Sequence, residues 1–248
     1  MPLEEGFGGP DVNTKIIIVT GASKGIGRAA ADALANSSWK VIGIARKSPQ
    51  SFSGEFIETD LSDRLQTQAV ASELIKRGHV LGIVNNVGLA RHEVFGAVNA
   101  DDFAAVMDLN VRPALQLTQA LVPGMQTARF GRIVNVTSLV TRGLAYRSSY
   151  AAAKAALESL TRTMAIELAG YGITANAIAP GPTETDLFRA NNPRGSAGEE
   201  RYLAKVPMHR FANTAEIAAA IAFFASEAAA YITGQTLFVD GGASLGSL

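Results

Sequence analysis

Cysteine is absent from the 248-residue sequence, which excludes disulfides and thiolate metal sites and removes any need for an oxidising compartment. Histidine is scarce: His79, His92 and His209 stand too far apart to form a metal-ligand pattern, so no catalytic metal is expected. Neither sign of charge is in excess. Lys+Arg and Asp+Glu number 22 each, so no global field draws the chain to nucleic acid, to an anionic membrane or to a polyanionic substrate. Long apolar runs are missing too. The longest, over 217–225, is too short to span a bilayer and reads as a buried helix. The opening MPLEEGFGGPDVN is acidic and rich in Gly and Pro where a signal peptide would be basic and then apolar, so residues 1–13 read as a loose arm. These absences together point to a cytoplasmic protein that binds neither nucleic acid nor membrane.

What is present is the makeup of a compact globular protein, 48% hydrophobic and 18% charged, and residues 14–248 read as a single domain. Short apolar runs at 16–19, 41–45, 56–58, 81–85, 132–136, 174–178 and 236–239 alternate with helical patterns at 25–36, 62–77, 100–126, 149–168 and 214–226. In the third helix, Pro113 and Pro123 are expected to bend or end it. That alternation predicts an α/β fold: a doubly wound Rossmann arrangement with a seven-stranded parallel sheet. One stretch breaks the rhythm. Residues 183–210 are polar, long and punctuated by Pro and Gly, which suits a helical lid over a substrate, with Leu187, Phe188, Tyr202 and Leu203 as its apolar cover.

Three constellations carry chemistry. The loop TGASKGIG follows the first apolar run and opens an alanine-rich helix, so its glycines let the backbone approach a pyrophosphate at a helix N-terminus. Beyond it, at the end of the second strand, stands Arg46, where an acid would bind the ribose diol of NAD; with Lys24 inside the loop, this suits a 2′-phosphate and favours NADP(H) over NAD(H). The third constellation is Tyr150 and Lys154, four positions apart on one helix face, with Ser138 closing the strand RIVNVTS and Asn110 on the preceding long helix. A phenol beside an ammonium can exchange a proton, a strand-end hydroxyl can donate to a carbonyl oxygen, and an amide can hold a water near Lys154. Taken singly, these residues read as surface pairs and turns. Their joint occurrence points to a site.

With those residues in place, the chain resembles the short-chain dehydrogenase/reductase family from about residue 15 to 242. TGASKGIG, Asp60 in TDL, NNVG, Asn110 in LNV, Ser138, YAAAK, PGPTET and FVDGG occur in the family's order. The resemblance implies that Tyr150 is the general acid in reduction and that Ser138 orients the carbonyl. Lys154 would hold the nicotinamide ribose and Asn110 a relay water. It also implies cofactor contacts from Gly21, Ser23, Lys24, Gly25, Ile26, Gly27, Arg46, Asp60, Leu61, Asn86, Gly88, Tyr150, Lys154, Pro180, Gly181, Thr183 and Thr185. Among these, Asp60 would meet adenine, Asn86 and Gly88 the adenosine side, and Thr183 and Thr185 the nicotinamide end. Val87 stands where alanine is commoner, and the interval from Ser138 to Tyr150 is one residue shorter than usual, which should reshape the pocket rim.

The resulting expectation is an NADPH-dependent reductase of a ketone, nearest in general character to the 3-oxoacyl-(acyl-carrier-protein) reductases, which would make a carrier-bound acyl chain a partner. The segment LARHEVFGAVNADDF lacks the Arg-Asp pair associated with those reductases. An NAD(P)-dependent secondary-alcohol, sugar or steroid dehydrogenase is therefore the alternative. A non-catalytic dinucleotide sensor is a third reading, disfavoured because both the tyrosine and the lysine are present. Small residues on the helices at 149–168 and 100–126, together with the tail FVDGGASLGSL, predict a homotetramer.

Overall fold

A computed structural model describes residues 15–246; the arm expected over 1–13 lies outside the described residues. Seven strands form one wholly parallel sheet: β1 (Ile16–Thr20), β2 (Lys40–Ala45), β3 (Glu55–Glu58), β4 (Val80–Asn85), β5 (Gly131–Val136), β6 (Ile173–Pro180) and β7 (Thr236–Val239). Their spatial order is β3-β2-β1-β4-β5-β6-β7, so the chain reverses its direction of winding between β1 and β4. β1, β2, β4, β5 and β6 are runs of Ile, Val, Leu and Ala buried along nearly their whole length, as expected where helices cover both faces of a sheet.

Helices α1 (Gly25–Ala35) and α7 (Thr214–Phe224) pack on each other, and α2 (Arg64–Lys76), α3 (Ala100–Ala128) and α4 (Ser148–Leu168) lie side by side. α2 and α3 begin at Asp63 and Asn99, whose side chains accept from the first free N–H groups. α7 has a reciprocal capping box between Asn213 and Glu216. The prolines of α3 do not end it: the helix runs through Pro113 and Pro123 to Ala128, with its buried stripe of Val106, Asn110, Ala114, Leu117, Leu121 and Met125 continuing past both. Packing of that stripe outweighs the loss of two backbone donors.

The lid region is helical. It contains α5 (Asp186–Asn191), capped by Thr185, and α6 (Ala197–Leu203), capped by Ser196. Phe188 sits edge-on to Tyr202 at 5.3 Å and to Phe211 at 4.8 Å, while Arg189 bridges Glu184 and Glu199. This segment therefore has its own small aromatic core and a clamp of opposite charges. Among the described residues, no helix is long and apolar enough to cross a membrane.

Candidate active site

In an open parallel sheet, ligands meet the carboxyl ends of the strands where the strand order reverses. Here that point is the gap between Thr20 at the end of β1 and Asn85 at the end of β4. Thr20 Oγ1 accepts from the backbone N–H of Asn86 at 2.9 Å and of Val87 at 3.1 Å, while Asn86 Nδ2 donates to Thr20 O at 3.0 Å and Gly21 O at 3.4 Å. The Asn86 side chain is thus a strut that binds the β4 loop to the glycine loop. Gly27 is required by closeness: a Cβ there would fall 2.3 Å from Gly21 O and 2.4 Å from Asn86 Nδ2. Gly21 and Gly25 bracket the half-buried Ser23 and the exposed Lys24, and half-buried Ile26 follows in the first turn of α1.

The N-terminus of α1 differs from most of the others. No side chain caps it and no acid lies in its first turn, so its free N–H groups and the positive end of its dipole face the crevice. Exposed Arg46 follows β2, and Asp60 follows β3. Asp60 Oδ1 accepts from the backbone N–H and the hydroxyl of Ser62 at 2.9 and 2.7 Å; these bonds, with Arg46 contributing, hold its carboxyl below the usual range. Leu61 is buried behind it.

At the other end of the crevice, Pro180 closes β6 and Gly181 N–H donates to Val239 O at 3.0 Å. Thr183 is buried, donates to Gly181 O at 2.9 Å, and pairs as a parallel bridge with Ala212. Thr185 caps α5 through Phe188 N–H at 3.1 Å, and its methyl would lie 3.6 Å from a Cβ built on Gly25. The lid therefore begins directly over the glycine loop.

Between these ends the four residues read as catalytic converge. Lys154 is 2% exposed, and its Nζ donates to Val136 O at 2.8 Å; burial lowers its pKa to about 8. Asn110, also 2% exposed in the middle of α3, donates to Leu89 O at 2.9 Å and Val106 O at 2.8 Å, and its Oδ1 accepts from Leu89 N–H at 3.4 Å. Gly88 fits between the two: a Cβ there would fall 2.7 Å from Asn110 Oδ1 and 3.2 Å from Lys154 Nζ. Ser138 follows β5 and caps a short 3-10 turn over Leu139–Arg142, its Oγ accepting from Val140 N–H at 3.3 Å.

Tyr150 is half-buried in the first turn of α4. Burial pushes its phenol up, while a hydrogen bond with Ser138 and the nearby Arg147 charge pull it down. Lys154 Nζ lies 5.6 Å from the centre of the Tyr150 ring. Ser138 therefore supports the phenol, and the lysine is turned toward the end of β5.

Sequence reasoning included Thr20 in the glycine-loop motif without giving it a role, and did not find Glu93 or Arg147. A threonine ending the strand before a glycine loop was readable in principle; Glu93 and Arg147 act on α4 through contacts between distant loops and leave no local spacing to detect. Among the described residues, no group of three or more potential metal ligands occurs.

Residues 21–244 match the family model described as enoyl-(acyl carrier protein) reductase. The chain is 39% identical over 238 residues to the 3-oxoacyl-[acyl-carrier-protein] reductase FabG of Vibrio cholerae, covering 92% of this chain and 96% of that protein. The FabG of Escherichia coli K12 is likewise 39% identical, with the same coverage. Among solved structures, a putative NAD(P)-dependent gluconate 5-dehydrogenase from Beutenbergia cavernae, with bound NADP at low occupancy, superposes with a TM-score of 0.87 at 32% identity, covering 94% of this chain and 97% of that one. The ligand-free aldohexose dehydrogenase of Thermoplasma acidophilum gives 0.87 at 29% identity, over 97% and 98% of the two chains.

Proposed function

Because this chain belongs to the short-chain dehydrogenase/reductase family, we propose that it reduces a ketone to a secondary alcohol with NADPH, with Tyr150 as the proton donor. The observation that carries this reading is the convergence of the Tyr150 phenol, the Ser138 hydroxyl, buried Lys154 and buried Asn110 at the carboxyl end of the sheet. The donor set beside them fits a phosphorylated dinucleotide. Uncapped α1 suits a pyrophosphate, and exposed Lys24 and Arg46 suit a 2′-phosphate. The NADP recorded in the Beutenbergia structure supports the same choice. Ser23, Ile26 and Leu61 would line the adenosine side with Asp60 and Gly88, and Pro180, Gly181, Thr183 and Thr185 the nicotinamide end.

A dihydronicotinamide held there supplies the hydride. The chain's own residues do the rest. Ser138 Oγ and the Tyr150 phenol donate hydrogen bonds to the carbonyl oxygen, so negative charge developing there is met by two donors. Tyr150 then passes its proton to that oxygen, and burial, by keeping the phenol protonated, matches it to the role of acid in reduction. Lys154, its Nζ beside the end of β5, offers its remaining donors to a ribose and a positive charge to a phenolate as it forms. Asn110 holds the loop after Gly88 in place, and a water on its Oδ1 side would complete a proton path.

The 39% identity to 3-oxoacyl-(acyl-carrier-protein) reductases supports a 3-oxoacyl thioester as the ketone, with a carrier protein as partner, in the cytoplasm. A second reading, a hydroxy-acid or sugar dehydrogenase, is favoured by His92, which stands after Arg91 where those reductases would carry an acid, and by the gluconate and aldohexose dehydrogenases among the structural relatives. A screen of NADPH oxidation over 3-oxoacyl thioesters, cyclic ketones, oxidised sugar acids and diketones separates them. Turnover of the thioesters supports the first reading, turnover of sugar-acid ketones alone the second, and no turnover of any carbonyl contradicts both.

A further inference from the structure

We propose that Glu93 is a positioning residue which caps the catalytic helix α4 from a distant loop and thereby sets the Tyr150 phenol. The inference rests on the reading of Tyr150 as proton donor. α4 starts without help from its own sequence: Arg147 at the N-cap makes no side-chain capping bond and no acid occurs in the first turn. In five of the other helices, an Asp, Asn, Ser or Thr next to the first turn supplies that cap. For α4 it comes from 56 residues upstream, where Glu93 Oε2 accepts from Ser149 N–H at 3.0 Å and Oε1 accepts from the Ser149 hydroxyl at 2.7 Å. The carboxylate lies at the positive end of the helix dipole, where charge is favourable. Ser149 is fully buried and is the immediate chain neighbour of Tyr150.

The rest of the loop is fastened to the same place. Arg147 donates to Arg91 O at 2.9 Å, Glu93 N–H donates to Tyr146 O at 3.1 Å, and the His92 ring stacks on Tyr146 with centres 4.8 Å apart. At its other end Leu89 is held by Asn110. The segment from Gly88 to Glu93 therefore spans from α3 to α4, linking two of the elements that carry the candidate catalytic residues. A loosened Glu93 would let the first turn of α4 fray, and the phenol would move relative to Ser138. Since a displacement of about 1 Å at a reacting group lowers turnover by up to about a hundredfold, the effect should appear in kcat. Of the residues read as cofactor contacts, Tyr150 and Lys154 lie on α4 and Gly88 opens the same segment, while all the others lie on other elements. The groups acting on the phenol are Ser138 and Arg147, with Lys154 Nζ 5.6 Å from the ring centre and Glu93 bonded to the neighbouring Ser149. Removing Glu93 leaves the first three in place.

The test compares Glu93→Ala, Glu93→Gln and wild type, on a ketone that the wild type reduces. Glu93→Ala should lose about tenfold or more in kcat with NADPH Kd within about twofold, and shift the alkaline limb of the kcat pH profile. Glu93→Gln, which retains an acceptor for Ser149, should recover most of the loss. Amide exchange at Tyr150 and Ala151, measured without substrate, should be faster in Glu93→Ala than in wild type. Wild-type kcat and pH profile in Glu93→Ala, or an equal loss of kcat and NADPH binding, overturns the proposal. Unchanged exchange at those amides does so as well, whatever the activity. An active Tyr150→Phe variant would instead remove the reading of Tyr150 while the exchange result still decided the cap, so the two failures are distinct.

Discussion

The ammonium of Lys154, bonded to the Val136 carbonyl and enclosed by protein, titrates at about 8 where a free lysine titrates at 10.5. Between those values the unfolded chain binds more protons than the folded one. Stability from this residue therefore rises with pH across that window, is fully present above the unfolded value, and is lost as pH falls through about 8. Urea unfolding of the cofactor-free protein across this range should show wild type gaining stability relative to Lys154→Met as pH rises; a constant difference would contradict it. Arg46 carries the second prediction. Arg46→Asp, by repelling a 2′-phosphate and accepting from a diol, should lower kcat/KM with NADPH about tenfold or more and raise it with NADH. Equal efficiency of the wild type with both cofactors would remove the assignment. At this scale the sequence was legible where chemistry is local: Tyr150 and Lys154 share a face because the helix repeat puts them there. It was not legible where a side chain's partner comes from elsewhere. Lys154 turning to Val136, the Asn110 amide engaged by Leu89 and Val106, and Glu93 seated on Ser149 all depend on packing between elements.

The elements followed from patterning because the five inner strands, β1, β2, β4, β5 and β6, are buried along nearly their whole length and the main helices each bury one stripe. The expected strands fall within those observed, since continuous Ile/Val runs have few other ways to be buried. Where local rules and packing conflict, packing prevailed, as when α3 continued through Pro113 and Pro123. The lid is the least legible element, because its two short helices are set by caps at Thr185 and Ser196 and by the Phe188, Tyr202 and Phe211 cluster, none of which makes a periodic signal. We expect this element to close over the substrate. Phe188→Ala should raise KM for the ketone about tenfold while changing NADPH affinity little. Amides of 183–210 should exchange more slowly with NADPH and a competitive ketone analogue than without. Equal protection in both states would make the segment a fixed wall. At α7, Asn213→Ala removes a capping box and should cost about 1 kcal/mol in urea unfolding, with kcat unaffected.

For the whole molecule, the order of strands decides where chemistry can occur: reversal between β1 and β4 opens one crevice, and most candidate site residues lie on the loops, strand ends or helix starts around it, with Asn110 reaching it from the middle of α3. We expect copies of this molecule to associate as a homotetramer, because α3 and α4 keep exposed apolar residues, among them Phe103, Leu115 and Ile166, and the last strand keeps Leu237. Light scattering of the full chain should give four times the mass of the 25.9 kDa chain, and a stable monomer at micromolar concentration would contradict it. The central claim concerns one atom, the phenol oxygen of Tyr150. Its most direct test is stopped-flow oxidation of NADPH by wild type and Tyr150→Phe on one ketone, with NADPH binding measured in the same samples. The account predicts that Tyr150→Phe binds NADPH within about twofold of wild type and loses at least about a thousandfold in turnover, because the ring remains and only the proton donor is gone. Turnover by Tyr150→Phe within about tenfold of wild type would contradict it.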